Sequence, residues 1–202
     1  MNFLAHAYLS YKNPDIVTGN LISDFVKGKS RYDYPLTIQE GITLHRAIDT
    51  FTDEHRVNVA TRRLFREAVG KYAGAFLDIV YDHFLAADPL VFPGNRLPEF
   101  SQWVYASVET NLAVCPPAFV QTFPHMKNND WLAGYREEIK LHRSFQGMVY
   151  RAAYLDDVEP AWRVFEEKKA QFEAAYQHFF PELMLFVNDY FQKHLAQKWK
   201  PE

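Results

Sequence analysis

Apolar residues recur at intervals of three and four through most of the chain, and no stretch shows the alternation of period two that marks a half-buried strand. The pattern predicts an all-α fold. Start and stop signals place helices at residues 2–11, ended by Asn13-Pro14, and at 15–26, ended by Gly28. A third helix is predicted over 37–53, with Thr37 as N-cap and Glu40 completing a capping box. A basic helix over 57–69 follows, then an apolar one over 73–86 that Asp88-Pro89 terminates. Residues 98–114 read as amphipathic, with shorter elements near 118–126, 130–139 and 143–153. From Pro160 onward Phe165, Phe172, Tyr176, Phe179, Leu183, Phe186 and Tyr190 form an aromatic stripe of core character that Pro181 kinks or divides.

Within this apolar background four segments each carry two polar side chains four positions apart: Asn2 and His6, Asn20 and Asp24, His45 and Asp49, Asp78 and Asp82. Residues four apart on a helix lie one above the other, so each pair points two ligand-type groups in one direction. In the run 73–87 the ionisable groups besides Tyr81 are Asp78, Asp82 and His83, and buried carboxylates are rare unless paired, hydrogen-bonded or metal-bound. That run alone fits a core aspartate satisfied by backbone N–H groups equally well. Likewise His6 alone fits a hydrogen-bonded core imidazole, and Arg46 with Asp49 fits a helix-face ion pair. Coincidence is harder to defend for four pairs together. His45, Asp49 and Asp53 share roughly one helix face. Imidazole nitrogen with carboxylate oxygen suits a divalent transition metal, and Arg46 beside them suits a phosphate oxygen.

With 202 residues, 48% hydrophobic and 16% aromatic, the chain is long enough for one globular domain with a sizeable core. A net charge of −3 does not point to a nucleic-acid binder, although Lys27, Lys29 and Arg31 cluster, as do Arg62, Arg63 and Arg66. The single cysteine, Cys115, excludes an intramolecular disulfide and a cysteine-rich zinc site, and favours a reducing compartment. No signal-peptide pattern and no membrane-length apolar run is visible. A cytoplasmic protein without membrane association is expected.

The motifs Met1-Asn-Phe-Leu-Ala-His6, Gly19-Asn20-Leu21 with Asp24-Phe-Val-Lys27-Gly28, Gly41-Ile42 with His45-Arg46, Ile48-Asp49, Thr52-Asp53, and Leu77-Asp78 with Asp82-His83-Phe-Leu85 occur in that order. Trp131, Tyr135-Arg136, Gly147-Met148, Arg151 and Phe180-Pro181 extend the series. Together they resemble the acyl carrier protein phosphodiesterase family, a divergent branch related to the histidine–aspartate metal phosphohydrolases. The adjacent His-Asp doublet of that superfamily has only Asp82-His83, in reversed order, as its counterpart here.

The resemblance implies a single-domain helical bundle of the histidine–aspartate phosphohydrolase kind. Its implied activity is metal-dependent release of 4′-phosphopantetheine from holo-acyl carrier protein, with manganese as the favoured ion. His6, Asp24, His45, Asp49 and Asp82 are the expected ligands or holders of a water at the metal, and Arg46 is the expected phosphate clamp. Asp53 and His83 are expected to orient ligands or shuttle a proton. Lys27, Lys29 and Arg31 are expected to dock the acidic carrier protein. Two alternatives remain at this point: a phosphohydrolase for a nucleotide or other small phosphoester, and a non-catalytic module binding an acidic protein. The absence of a glycine-rich phosphate loop argues mildly against a nucleotide substrate.

Overall fold

The structure, a computed structural model, describes residues 1–195 and contains no strand among them. Helix α1 (Phe3–Tyr8) begins where Asn2 Oδ1 accepts the Phe3 amide at 3.0 Å. It stops earlier than the apolar pattern indicates, and Tyr11 and Lys12, both at φ 53°, turn the chain back. Helix α2 (Pro14–Ile22) starts with Asn13 Oδ1 accepting the amides of Asp15 and Ile16, and with Pro14 in the first turn, where its missing N–H costs nothing. It too is shorter than predicted, because a 3-10 turn over Ser23–Phe25 replaces its last turn.

Helix α3 (Leu36–Glu54) starts one residue before the expected capping box. Pro35 occupies the N-cap position and supplies no side-chain acceptor, so Thr37 is inside the helix and the box does not form. The basic segment is not one helix but α4 (Arg56–Thr61), a 3-10 turn (Arg62–Phe65) and α5 (Arg66–Val69). Through the tightened turn Phe65 is fully buried and stacks on Phe172 at 4.7 Å, while Arg63 stays exposed. Helix α6 (Ala73–Ala87) matches its prediction closely and is buried over most of its length.

The remaining helices are α7 (Arg96–Thr110), α8 (Pro117–Asn128), α9 (Trp131–Gly134), α10 (Glu138–Arg151) and α11 (Glu159–His194). Pro181 does not divide α11, which runs through it for 36 residues. Phe179, Phe180 and Leu183 are buried on both sides of the proline, and this packing offsets the backbone bond that proline removes. Phe165, Phe172, Tyr176, Phe179 and Leu183 of the aromatic stripe are in the core, whereas Phe186 and Tyr190 pack at its margin.

One helix pair positions the site. Helices α2 and α3 touch through Gly19 and Gly41: a Cβ added to Gly19 would lie 2.1 Å from Ile38 O, and one added to Gly41 would lie 2.3 Å from Ile16 O. Any side chain at either position forces the backbones apart. The contact therefore fixes Asn20, next to Gly19, against His45, one turn beyond Gly41.

Candidate metal centre

His6 of α1 and His45 and Asp49 of α3 converge, with one potential ligand atom from each lying within 4.8 Å of the others. The two imidazoles stack with centroids 3.9 Å apart and planes inclined by 14°. Both reach Asp49, His6 Nε2 standing 3.1 Å from Oδ1 and His45 Nε2 3.0 Å from Oδ2. Asp24, in the 3-10 turn after α2, joins from the other side with Oδ1 3.2 Å from His45 Nε2. Exposure rises outward, from 3% and 7% for the side chains of His6 and His45 to 40% for Asp49 and 73% for Asp24, so the cluster opens to solvent on its carboxylate side.

The orientation of His45 follows from the end of α2. A helix leaves its last carbonyls without internal partners, and Asn20 is in that last turn. Its carbonyl lies 2.8 Å from His45 Nδ1. A carbonyl only accepts, so Nδ1 carries the proton and Nε2 is left facing the carboxylates. A second carbonyl of this kind belongs to His6, in the last turn of α1, and accepts Asn20 Nδ2 at 2.9 Å and Ser10 Oγ at 2.7 Å.

Two stacked imidazoles cannot both be charged cheaply, and their surroundings separate them. Burial, then the neighbouring His45, pulls His6 down to about 4. Burial also opposes charge on His45, but the bonds to Asp24 and Asp49 prevail and raise it to about 9. Burial likewise works against an ionised Asp49, yet His45 and His6 hold its carboxyl well below the usual range, and the bond from His45 lowers Asp24 too.

The donor set fits a divalent transition ion. Neither nitrogen of the buried His6 ring has a hydrogen-bond partner, although Nε2 is close to Asp49. The ring nitrogen is thus beside the carboxylate oxygen without an N–H aimed at it, the relation that two ligands of one ion adopt. Neutral imidazole nitrogen with aspartate oxygen is a mixed donor set suited to divalent first-row transition ions. His45, with Nδ1–H bound to a carbonyl, has the outer support that a ligating histidine needs.

The other expected residues lie elsewhere. Asp82 is fully buried and caps α1, accepting the amides of Leu4 at 2.7 Å and of Asn2 and Ala5 at 3.3 Å each. Its oxygens are committed to main-chain donors, not to the imidazoles, and burial raises its pKa to about 7. Asp78, its partner in the sequence pattern, is 3.0 Å from the α-ammonium of Met1, which also lies 3.9 Å from Asp49 Oδ1. His83 is one residue and about 100° further round α6. It donates from Nδ1 to Tyr135 O at 2.8 Å and meets the edge of Phe165, so its place is in the core. Asp53 is at the surface, 3.6 Å from Arg62. Arg46 is half-buried, one turn before Thr50, and donates to Val26 O at 3.1 Å. Lys27 and Lys29 are exposed and Arg31 is half-exposed over the 3-10 helix Gly28–Asp33, which buries none of its residues and which Gln39 ties to the start of α3 through Tyr34 O at 2.7 Å.

The sequence pattern had included Asn20 only as one member of a polar pair, and the use of its main-chain carbonyl had no signal there. Nor did anything in the pattern mark Met1 as a cation for Asp49 and Asp78.

An all-α bundle that presents two buried histidines and an aspartate, with a second aspartate at the mouth, defines the class as a helical protein with a candidate metal centre. The model of the family described as acyl carrier protein phosphodiesterase matches residues 1–183. The chain belongs to that family. It is 32% identical over 186 residues to an acyl carrier protein phosphodiesterase of Enterobacter sp. (strain 638), covering 92% of this chain and 96% of that one. It is 33% identical over 185 residues to proteins of the same name from Salmonella agona (strain SL483) and Klebsiella pneumoniae (strain 342), covering 91% of this chain and 96% of each. No solved structure matches.

Proposed function

We propose that this protein hydrolyses the phosphodiester linking 4′-phosphopantetheine to a serine of acyl carrier protein, using a divalent ion, manganese by preference. The observation that carries this reading is the convergence of His6, His45 and Asp49 inside the segment that matches the family. In the reaction water adds to phosphorus, the bond from phosphorus to the serine oxygen breaks, and that oxygen takes up a proton. Apo-carrier protein and 4′-phosphopantetheine result.

His6, His45 and Asp49 would hold the ion, with Asp24 at the mouth. Such an ion supplies Lewis acidity, which acidifies water and offsets charge on phosphoryl oxygens. The depressed pKa of His6 keeps its ring neutral and its nitrogen available near neutral pH. To hold an ion His45 would give up its Nε2 proton, while Nδ1 would keep its own, donated to Asn20 O, and with it the ring orientation. Arg46 spends one of its five N–H donors on Val26 O in the hydrogen bonds described, and the others suit a phosphodiester anion arriving beside Asp49.

Lys27, Lys29 and Arg31 lie just after Asp24 and form a cationic rim for an acidic protein substrate. Among the described residues no helix is long and apolar enough to cross a membrane, and a cytoplasmic location suits the free thiol of Cys115.

Incubation of the protein with holo-acyl carrier protein and manganese, followed by intact mass, tests the proposal. Loss of the prosthetic group from the carrier protein is expected. An unchanged carrier protein together with hydrolysis of a free nucleotide would transfer the site to small phosphoesters, and an unchanged carrier protein in a stable complex would make this a binding module.

A further inference from the structure

Residue 20 contacts both histidines of the centre by two separate routes. Its carbonyl, in the last turn of α2, accepts His45 Nδ1–H at 2.8 Å. Its side-chain amide donates to His6 O, in the last turn of α1, at 2.9 Å, and to Ser10 Oγ at 3.0 Å. Asn20 is fully buried, so neither bond competes with water. Asn20 Oδ1 is also buried and lacks a hydrogen-bond partner. A buried polar atom left unpaired costs free energy, so the residue is not explained by helix packing, for which an apolar side chain of similar size would serve better. Its neighbour Gly19 brings the α2 and α3 backbones together and leaves residue 20 no freedom to move along α3.

We propose that Asn20 is the positioning residue of the metal centre, fixing the separation of the two histidines and the tautomer of His45 from one point on α2. The proposal rests on the reading that His6, His45 and Asp49 bind a divalent ion. Helix α1 has six residues and cannot hold His6 in register by its own stability; Asp82 fixes its first turn, and the Asn20 clamp on its last turn sets where the His6 ring stands relative to His45. Loss of the Asn20 side chain frees that end of α1 and lets the end of α2 rotate, which loosens the carbonyl bond to His45 as well. Outer partners of ligating histidines of this kind are worth ten- to a hundredfold in metal affinity by general experience.

The test compares Asn20→Ala with Asn13→Ala. Asn13 caps the start of the same helix through its bonds to Asp15 N and Ile16 N, so its loss loosens α2 without touching either histidine. Two readouts are taken on the full chain: the dissociation constant for manganese, and the slow-exchanging His45 Nδ1–H resonance in metal-free protein. Asn20→Ala is expected to weaken manganese binding about ten- to a hundredfold and to broaden the His45 resonance into exchange. Asn13→Ala is expected to lower the melting temperature while both readouts stay within about twofold of wild type.

If Asn20→Ala does not fold, Asn20→Ser keeps a short hydroxyl and is expected to give a smaller loss in the same two readouts. Wild-type readouts in either folded Asn20 variant would overturn the proposal, as would equal losses in Asn13→Ala, which would reduce Asn20 to general support of α2. A wild-type protein that takes up no manganese would defeat the metal reading, and the His45 resonance would still decide whether Asn20 positions that ring.

Discussion

The pairs His45/Asp49 on α3 and Asp78/Asp82 on α6 have the same spacing and both meet α1, yet they are used for different purposes. Asp49 lies at 40% exposure against two imidazole nitrogens. Asp82 is fully buried against three backbone amides, and the partly exposed Asp78 lies 3.0 Å from the Met1 ammonium. What separates them is the kind of group each one meets: main-chain amides at Asp82, imidazole rings at Asp49. The N-terminus of a helix offers unpaired N–H groups and the positive end of its dipole, so a carboxylate there is consumed by the main chain. Asp49 lies beside the same end, 3.9 Å from the Met1 ammonium, but its oxygens meet the rings of His6 and His45 and no helix amide, so it remains available to an ion.

The comparison is broken most severely at Asp49. Asp49→Asn keeps the shape and removes the charge, and kcat/KM toward holo-acyl carrier protein should fall more than about a hundredfold, beyond the loss typical of an outer partner. Asp82→Asn, the same change on the other pair, should leave kcat/KM within about tenfold of wild type once the folded fraction is equalised, below the loss typical of an outer partner, since Asp82 reaches neither imidazole. Intact-mass progress curves measure both, and equal losses would erase the distinction between the two carboxylates.

The next largest effect is at the α2–α3 contact that supplies Asn20 and Asp24 to one side of the comparison only. Gly19→Ala places a Cβ against the Ile38 carbonyl, which is backbone and cannot swing aside. A loss of about 3 kcal/mol is expected, at the upper end of overpacking costs. Urea unfolding measures it, and a change below about 0.5 kcal/mol would show that the helices are not in close contact there.

Asp82 sharpens the comparison through pH. Burial raises its pKa from 3.8 to about 7. The folded chain then binds this proton more tightly than the unfolded chain, so the stabilisation from the protonated group is complete below about pH 4 and is lost as pH rises through 7. Wild-type stability should therefore decline between these values with a slope of up to about 1.4 kcal/mol per pH unit from this group, and Asp82→Asn should remove that part of the slope. An identical slope in both proteins would contradict the assignment. The smallest effect is at the rim. Changing Lys27, Lys29 and Arg31 to Glu should raise KM for carrier protein by about tenfold and flatten its salt dependence, with kcat nearly preserved.

The comparison also marks what the sequence could disclose. Helix content, the α6 boundaries and the aromatic core of α11 were legible because each depends on a long periodic run. His6, His45, Asp24 and Asp49 were legible as pairs that share a direction. Where each direction leads was not, since Asp82 and Asp49 sit in equivalent patterns and differ only in what α1 presents to them. The capping box at Thr37 and Glu40 failed because Pro35 allowed the helix to begin earlier, and the basic helix failed because burying Phe65 broke it into shorter turns. Main-chain partners such as Asn20 O leave no trace in side-chain spacing.

The most direct test of the central claim, that α3 rather than α6 supplies the metal-binding carboxylate, is a manganese titration followed by electron paramagnetic resonance on wild type, Asp49→Asn and Asp82→Asn. One tight ion per chain in wild type and Asp82→Asn, with none in Asp49→Asn, is the predicted result. A tight ion retained by Asp49→Asn, or lost from folded Asp82→Asn, would contradict it.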